Sequence, residues 1–128
     1  MTTPANFEAL FYKADAAGMA AGEAATPTPM VVGSPSSPFG NDVDLSKPTY
    51  FVADGVCGFA WVKIKGNSAF GRWAKKAGKA RPDYPSGLAI SAAGRFNQSM
   101  QRKEAWANAF ANVLSEHGID AYAQSRMD

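Results

Sequence analysis

Apolar residues recur at helical spacing near the start of the chain. Phe7, Leu10, Phe11 and Ala14 stand at i, i+3, i+4 and i+7, which predicts an amphipathic helix with Pro4 near its first turn. The second half of this segment, ADAAGMAAGEAA, consists almost entirely of small residues. We expect that half to lie close against a second helix or a sheet, because small side chains allow a neighbouring backbone to approach.

A proline-rich stretch follows the first helix. Residues 26–48, TPTPMVVGSPSSPFGNDVDLSKP, contain five of the eight prolines and predict an extended connection with one short strand at Met30 to Val32. The stretch carries more apolar side chains than a solvated linker needs. We therefore expect it to lie on the domain surface in one conformation.

Two runs rich in β-branched and aromatic residues come next. TYFVAD and FAWVKIK are joined by a glycine-containing turn and predict a β-hairpin. The second run alternates, so successive residues face opposite sides of a sheet. One side receives Phe59, Trp61 and Lys63, and the other receives Ala60, Val62 and Ile64.

A short basic helix and a further strand follow. NSAFGRWAKKAGKA has Asn67 or Ser68 as its N-cap and Gly78 at its end. Its apolar stripe consists of Phe70, Trp73, Ala74 and Ala77. RPDYPSG then predicts a turn, and LAISA predicts a strand.

The strongest helical pattern lies in the last third of the chain. NQSMQRKEAWANAFANVLSEHG has Asn97 or Ser99 as its N-cap and Gly118 as its stop. Its stripe consists of Trp106, Phe110, Val113 and Leu114. The alternating tail IDAYAQSRM predicts a final strand.

Together these elements predict an α+β fold in one domain over residues 1–128. It comprises an N-terminal small-residue helix (1–25), the extended segment (26–48) and an α+β core (49–128). We expect a two-layer sandwich with a mixed sheet, in the order α, extended segment, β-β-α-β-α-β, and with the helices mainly on one face. The strand, helix, strand unit from Leu88 to Met127 favours a right-handed crossover with parallel strands. The first helix would cover the other face or an edge.

Composition narrows the class of protein. An apolar content of 46% excludes disorder over the whole length. One cysteine excludes an intramolecular disulfide framework and a multi-cysteine zinc site. With one histidine, a metal site would need carboxylates for most of its ligands, and we assign no metal ligand. The N-terminus lacks a basic region followed by an apolar run, and no apolar run approaches the roughly 20 residues that a bilayer requires. We expect a cytoplasmic protein with no cofactor.

The single cysteine is a poor candidate nucleophile. In CGFAW, Ala60 stands where a papain-like enzyme has its cysteine, and the β-rich residues after Cys57 argue against an activating helix N-terminus. The only imidazole, His117, stands at a helix end, where capping is routine. We therefore expect Cys57 to be buried and unreactive, we assign no catalytic residue, and enzymatic activity is not favoured.

Signatures of nucleotide and metal binding are also missing. No glycine-rich loop followed by Lys-Ser/Thr is present. Asp42 and Asp44 resemble half of a calcium loop but lack its glycine and distal glutamate, so we expect a solvated turn there.

The net charge of +2 conceals an asymmetry between the two parts of the chain. Residues 1–54 carry a net charge of −4 and residues 55–128 carry +6. Seven cations occur without an acid between them: Lys63, Lys65, Arg72, Lys75, Lys76, Lys79 and Arg81. With Trp73 and Tyr84 available for stacking, this cluster predicts binding of nucleic acid or a nucleotide. The alternative is a solvated helix face.

A second polar group is predicted where the long helix begins. Gln98, Ser99, Arg102 and Lys103 stand at that helix start, and Ser125, Arg126 and Asp128 stand at the end of the chain. A strand, helix, strand crossover brings these two places together, so we expect one pocket that holds an anion at the helix N-terminus. Plain helix capping and a pair with Asp128 are the alternative.

Three stretches carry a family resemblance: GVCGFAWVKI, FNQSMQRKEAWANAFANVL and GIDAYAQSRMD. They resemble a family of small, uncharacterised proteins encoded by tailed bacteriophages and related mobile elements. The resemblance implies a phage-encoded cytoplasmic protein without an assigned chemistry. Two function classes remain open. The protein binds an anionic ligand, or it is a protein-interaction or counter-defence factor that acts on a host protein or as a homo-oligomer; we expect no membrane partner.

Overall fold

The computed structural model of the chain describes residues 4–26, 30–33, 49–52, 58–83, 86–92, 96 and 99–127. Its elements are α1 (Pro4–Ala24), β1 (Met30–Gly33), β2 (Thr49–Val52), β3 (Gly58–Ile64), α2 (Ala69–Lys76), β4 (Arg81–Pro82), β5 (Leu88–Ser91), α3 (Met100–Glu116) and β6 (Ala121–Met127). The architecture is α+β, as predicted, and the element order matches. The short strand β4 is an addition, since a turn was predicted there.

Four strands form the main sheet, in the order β4-β5-β3-β6. Every pairing in it is antiparallel, so the predicted mixed sheet was wrong. The two strands joined by α3 do run in the same direction, as a crossover requires. They are not neighbours, however, because β3 lies between them and pairs antiparallel with both.

The six elements from β3 to β6 follow the sequence β-α-β-β-α-β. Each helix connects two strands that run in the same direction and have one antiparallel strand between them. This is the split β-α-β arrangement of ferredoxin-like folds. It places β3 and β5 at the centre of the sheet and leaves β4 and β6 as its two edges.

The predicted hairpin between TYFVAD and FAWVKIK was also wrong. Strand β2 pairs with β1 in a separate two-stranded antiparallel sheet, from Met30 opposite Val52 to Gly33 opposite Thr49. The physical reason is that β3 already has β5 on one side and β6 on the other, so no edge of β3 is free for β2. The strand predicted at Met30 to Val32 is confirmed, whereas residues 34–48 lie outside the described part.

The hydrophobic core lies on the helix side of the main sheet. Ala60, Val62 and Ile64 of β3 are buried there, as their alternation predicted. Helix α3 packs directly on β3 and β6. The largest fully buried side chains are Trp106, Phe70, Phe110, Ile90, Leu114 and Val62.

Helix α1 packs against the other two helices and not on the second face of the sheet or at its edge, which corrects the prediction for this helix. Its aromatic stripe finds partners there: the ring of Phe11 lies edge-on to Phe110 at 5.3 Å, and that of Phe7 lies edge-on to Phe70 at 5.6 Å. The small-residue half packs closely, since a Cβ at Gly18 would stand 2.5 Å from Trp106 Cδ1. The expected close approach is thereby confirmed.

The predicted helix ends agree well with the structure. Ser68 and Ser99 are the N-caps of α2 and α3, and Gly78 and Gly118 follow these helices with positive φ. Ala77 was placed in the apolar stripe of α2 but is exposed, because the helix ends at Lys76 and Ala77 is its C-cap. Within the described ranges, no helix has both the length and the apolar character needed to cross a bilayer.

Candidate functional site

The side of the main sheet that faces away from the helices collects aromatic and polar residues. Phe59, Trp61 and Lys63 point to this side, as predicted, and residues directly opposite them on neighbouring strands share it. We call this surface the open face; it consists of Phe59, Trp61, Lys63, Arg81, Ala89, Ser91, Tyr122, Gln124 and Arg126. Sheet pairing thus unites residues that are up to 67 positions apart in the chain, such as Phe59 and Arg126.

Aromatic rings on the open face remain accessible to solvent. Phe59 is 39% exposed and Tyr122 is 54% exposed, which places them among the few exposed large hydrophobic side chains of the described residues. Trp61 between them is half-buried, and its Nε1 donates to Gln124 Oε1 at 3.0 Å. Flat surfaces of this kind are suited to stacking with planar ligands.

Cations accompany these rings. The guanidinium carbon of Arg126 lies 5.3 Å from the centroid of Phe59. Arg81 is exposed beside them, and Lys63 Nζ lies 3.5 Å from Asp83 Oδ2. A depression of about 330 Å³ is lined by Phe59, Trp61, Arg81, Asp83, Ser91, Arg126 and their strand neighbours. Positive charge therefore exceeds negative charge around a partly apolar floor.

The predicted pocket at the start of α3 is occupied largely by internal contacts. Arg102 Nη1 donates to the carbonyls of Gly22 at 2.9 Å and Glu23 at 3.2 Å, which caps the end of α1. Ser99 is buried, and its Oγ accepts from Arg102 N at 3.4 Å. Lys103 is 3% exposed and donates to Gly58 O at 3.2 Å. These contacts account for the three polar side chains without a ligand.

One part of that predicted grouping does come together in space. Lys103 Nζ lies 5.3 Å from the centroid of Phe59, so this ring has cations from both Lys103 and Arg126. Ser125 is exposed and stands opposite Ala60, in register with the helix-facing residues of β3. Gln98 and Asp128 lie outside the described part of the chain.

The predicted basic cluster divides between different surfaces. Lys63 and Arg81 belong to the open face, whereas Lys75 and Lys76 are exposed on α2. Arg72, also on α2, donates from Nη1 to Asn67 O at 2.8 Å. The chain crosses from one side of the fold to the other between these groups. These cations are close in the sequence but do not lie on one surface along which a nucleic-acid backbone could bind.

Two further lysines of the cluster have partners. Lys79 Nζ lies 5.5 Å from the centroid of Phe11 and 5.3 Å from that of Tyr12. Lys65 Nζ lies 2.9 Å from Asp120 Oδ2, and the hydrogen bond and charge of Asp120 raise the pKa of Lys65. Both side chains are thus engaged within the fold.

Trp73 belongs to a second depression, on α2. It packs against Phe7, Phe11 and Phe70, with ring centroids between 5.6 and 6.2 Å apart. The depression measures about 450 Å³ and is lined by Phe7, Ala69, Arg72, Trp73, Lys76 and Ala77. Tyr84, predicted together with Trp73 to stack with a nucleic acid or a nucleotide, lies outside the described residues.

Tyr122 was not predicted to be a binding residue, and Phe59 and Trp61 were predicted to share a sheet face without an assigned function. A signal for them was present, because FAWVK and AYAQSR both alternate between small or apolar residues and larger polar or aromatic ones. Alternation alone does not show which strands become neighbours. That information comes from the register of β3 with β6.

Side chains that could bind a metal do not cluster in the described ranges, and the single histidine of the chain caps a helix. No group of three or more His, Cys, Asp or Glu side chains there could hold a metal ion. His117 is the C-cap of α3, and its Nδ1 lies 2.9 Å from Val113 O, which confirms the capping prediction. Cys57 lies outside those ranges, so its predicted burial stays a prediction.

Comparison with known proteins adds no relative: no protein-family model, no curated protein and no solved structure matches the chain.

Proposed function

We propose that this protein binds single-stranded nucleic acid on the open face. The observation that carries the proposal is the half-exposed ring of Phe59 on a central strand, with the guanidinium of Arg126 5.3 Å from its centroid. Rings stack with bases of any sequence, and cations beside them pair with the phosphates between those bases. A purely structural role would not require this combination on a solvent-facing sheet.

The residues of the open face would have different roles in binding. Phe59 and Tyr122 offer ring surface for stacking, while Arg81 and Arg126 supply positive charge for the phosphates; Lys63 is paired with Asp83. Gln124 and Ser91 provide hydrogen-bonding groups between them, and Gln124 is oriented by Trp61. In RNA-recognition domains, a four-stranded sheet likewise stacks bases on aromatic residues of its central strands. That likeness is one of architecture.

The ligand class agrees with the one expected from the charge pattern, but the proposed surface is a different one. Arg102 and Lys103 already donate to backbone carbonyls, so they offer little to an anion. Lys75 and Lys76 on α2 have charge, but the ring beside them, Trp73, is mostly packed against other aromatics. The open face is favoured because there the cations and the accessible rings coincide.

The proposal is tested by fluorescence anisotropy with a labelled oligothymidine at low salt. Phe59→Ala should weaken binding about tenfold, because loss of one base-stacking contact costs roughly 1–3 kcal/mol. Arg126→Ala should also weaken binding, because it removes a phosphate contact. Tyr12→Ala on α1 and Arg72→Ala on α2 are matched controls, since they remove an exposed ring and an exposed cation from other surfaces. Their affinities should equal that of the wild type.

Salt dependence supplies an independent measure. With the two cations Arg81 and Arg126 engaged, the logarithm of the association constant should fall with the logarithm of salt concentration with a slope of about −1.4. Absence of binding at low salt would overturn the proposal. Loss of binding in Arg72→Ala alone would transfer the site to α2. A partner protein that binds without salt dependence would favour the alternative, an interaction or counter-defence factor.

A further inference from the structure

The two edges of the main sheet differ in how well they are protected against pairing with another chain. Edge strand β4 contains two residues, Arg81 and Pro82, and so combines shortness, a charge and a proline. Edge strand β6 contains seven residues, AYAQSRM, and lacks proline. Its register with β3 is continuous from Ala121 to Met127, so no bulge bends it away. Natural sheets usually blunt long edges by such devices.

The side chains of β6 also leave apolar surface uncovered. Tyr122 and Met127 are 54% and 65% exposed, and they are two of the four exposed large hydrophobic residues in the described chain. None of the described elements pairs with the outer edge of β6. On that side the backbone of β6 has no strand partner within the described ranges.

We propose that β6 pairs with β6 of a second copy, antiparallel and about a two-fold axis that passes through Gln124. This register is the one that pairs all seven residues, with Ala121 opposite Met127 of the partner subunit. Registers shifted along the strand leave residues at both ends unpaired. The resulting dimer joins two four-stranded sheets into one continuous sheet with both open faces on the same side.

The side chains are complementary in this register. Tyr122 stands opposite Arg126 of the partner subunit, on the open-face side, and the reverse pair occurs on the other side of the axis. An aromatic ring opposite a guanidinium is a favourable cross-strand pair, whereas two arginines would repel. Small residues face each other on the helix side, where Ala123 is opposite Ser125 of the partner subunit. These pairs are what favour a second copy over another occupant.

Dimerisation through β6 is independent of the proposed nucleic-acid binding, because the monomer–dimer equilibrium is measured without nucleic acid. Sedimentation equilibrium across a wide range of protein concentrations, on protein shown by absorbance to be free of nucleic acid, should reveal a monomer–dimer equilibrium. A monomer at every concentration overturns the inference.

Charge variants test the register. Tyr122→Lys places a cation opposite Arg126 of the partner subunit at two symmetric points and should raise the dimer dissociation constant about tenfold. Adding Arg126→Glu creates an opposite-charge pair there and should restore dimerisation. Within one chain these two positions are about 13 Å apart along the strand, so the rescue must act between chains.

Two controls keep this result interpretable. Arg72→Glu reverses a charge on α2 and should leave the dissociation constant unchanged. Circular dichroism and thermal unfolding establish that Tyr122→Lys, which also faces Lys63 in its own chain, remains folded. A dimer that is insensitive to Tyr122→Lys, or that the double variant does not rescue, would show a different interface and overturn the inference.

Discussion

Phe59 shows how one residue gathers contributions from three elements. The ring projects from β3, Arg126 approaches it from β6, and Lys103 approaches it from α3. The buried ammonium of Lys103 also donates to the carbonyl of the preceding residue, Gly58. A buried charge is costly unless it has such partners. Lys103 therefore connects the start of α3 to the start of β3, next to the exposed ring of Phe59.

Gly18 is a residue at which packing and helix propensity oppose each other. Alanine favours a helix interior over glycine by about 1 kcal/mol, but a Cβ at this position would lie 2.5 Å from Trp106 Cδ1 and 2.9 Å from Trp106 O. We predict that Gly18→Ala destabilises the protein by about 1–3 kcal/mol, as overpacking typically does. Urea unfolding measures the change.

An alanine-to-glycine substitution at an exposed position of the same helix measures the difference in helix propensity without a packing effect. Ala20→Gly should cost about 1 kcal/mol through propensity alone, since Ala20 is exposed. A stabilised Gly18→Ala variant would show that α1 does not pack on Trp106 as closely as the structure indicates.

At the scale of elements, short helices depend on their ends. Helix α2 has only eight residues, and Ser68 serves it twice: its Oγ accepts from Gly71 N at 2.9 Å and donates to Lys65 O at 2.9 Å. The helix also has Lys75 and Lys76 in its last turn, where positive charge interacts favourably with the helix dipole. Isolated helices of this length are marginal, so caps and tertiary packing must hold α2 in place.

Substitutions of Ser68 test this account. Ser68→Ala should reduce the free energy of unfolding by about 1 kcal/mol, because the N–H of Gly71 loses its acceptor. Ser68→Asp retains an acceptor at the N-cap and should cost much less. Denaturant titration measures the free energy of unfolding of both variants. Equal losses for the two substitutions would indicate a general effect of changing the surface and would contradict the capping account.

At the scale of the molecule, one hydrophobic cluster connects α1 to the main sheet through α2 and α3. It includes Phe11 and Leu10 of α1, Phe70 of α2, Phe110 of α3 and Val62 of β3. Because these side chains touch in series, loss of α1 would expose aromatic surface of both other helices. The described helices and the main sheet should therefore unfold together.

Phe11→Ala examines this cooperativity. Removal of a buried ring that contacts Phe110 at 5.3 Å should lower the free energy of unfolding by about 3–5 kcal/mol. Tryptophan fluorescence and far-ultraviolet circular dichroism should report the same shifted transition. Separate transitions for the two probes would show that α1 unfolds independently of the rest.

Properties that depend on neighbouring residues could be predicted from the sequence. The 3.6-residue and two-residue periods identified α1, α2, α3, β3 and β6. Because helix ends leave N–H groups unsatisfied, the sequence also reduced each N-cap to two candidates, Asn67 or Ser68 and Asn97 or Ser99. The division of β3 into a buried and an open side was likewise fixed by alternation. Each of these properties is set by covalent geometry over a few residues.

Which of these elements contact each other became known only from the fold. Strand β2 pairs with β1, α1 packs on the other helices, and β3 lies between β5 and β6. Each of these outcomes depends on the relative free energies of alternative pairings between distant segments, and no local sequence pattern contains that information. The candidate site depends on the same decision, because Arg126, Gln124 and Tyr122 join Phe59, Trp61 and Lys63 only when β6 pairs with β3 in this register. A shift of one residue would turn the aromatic and basic side chains of β6 toward the helices.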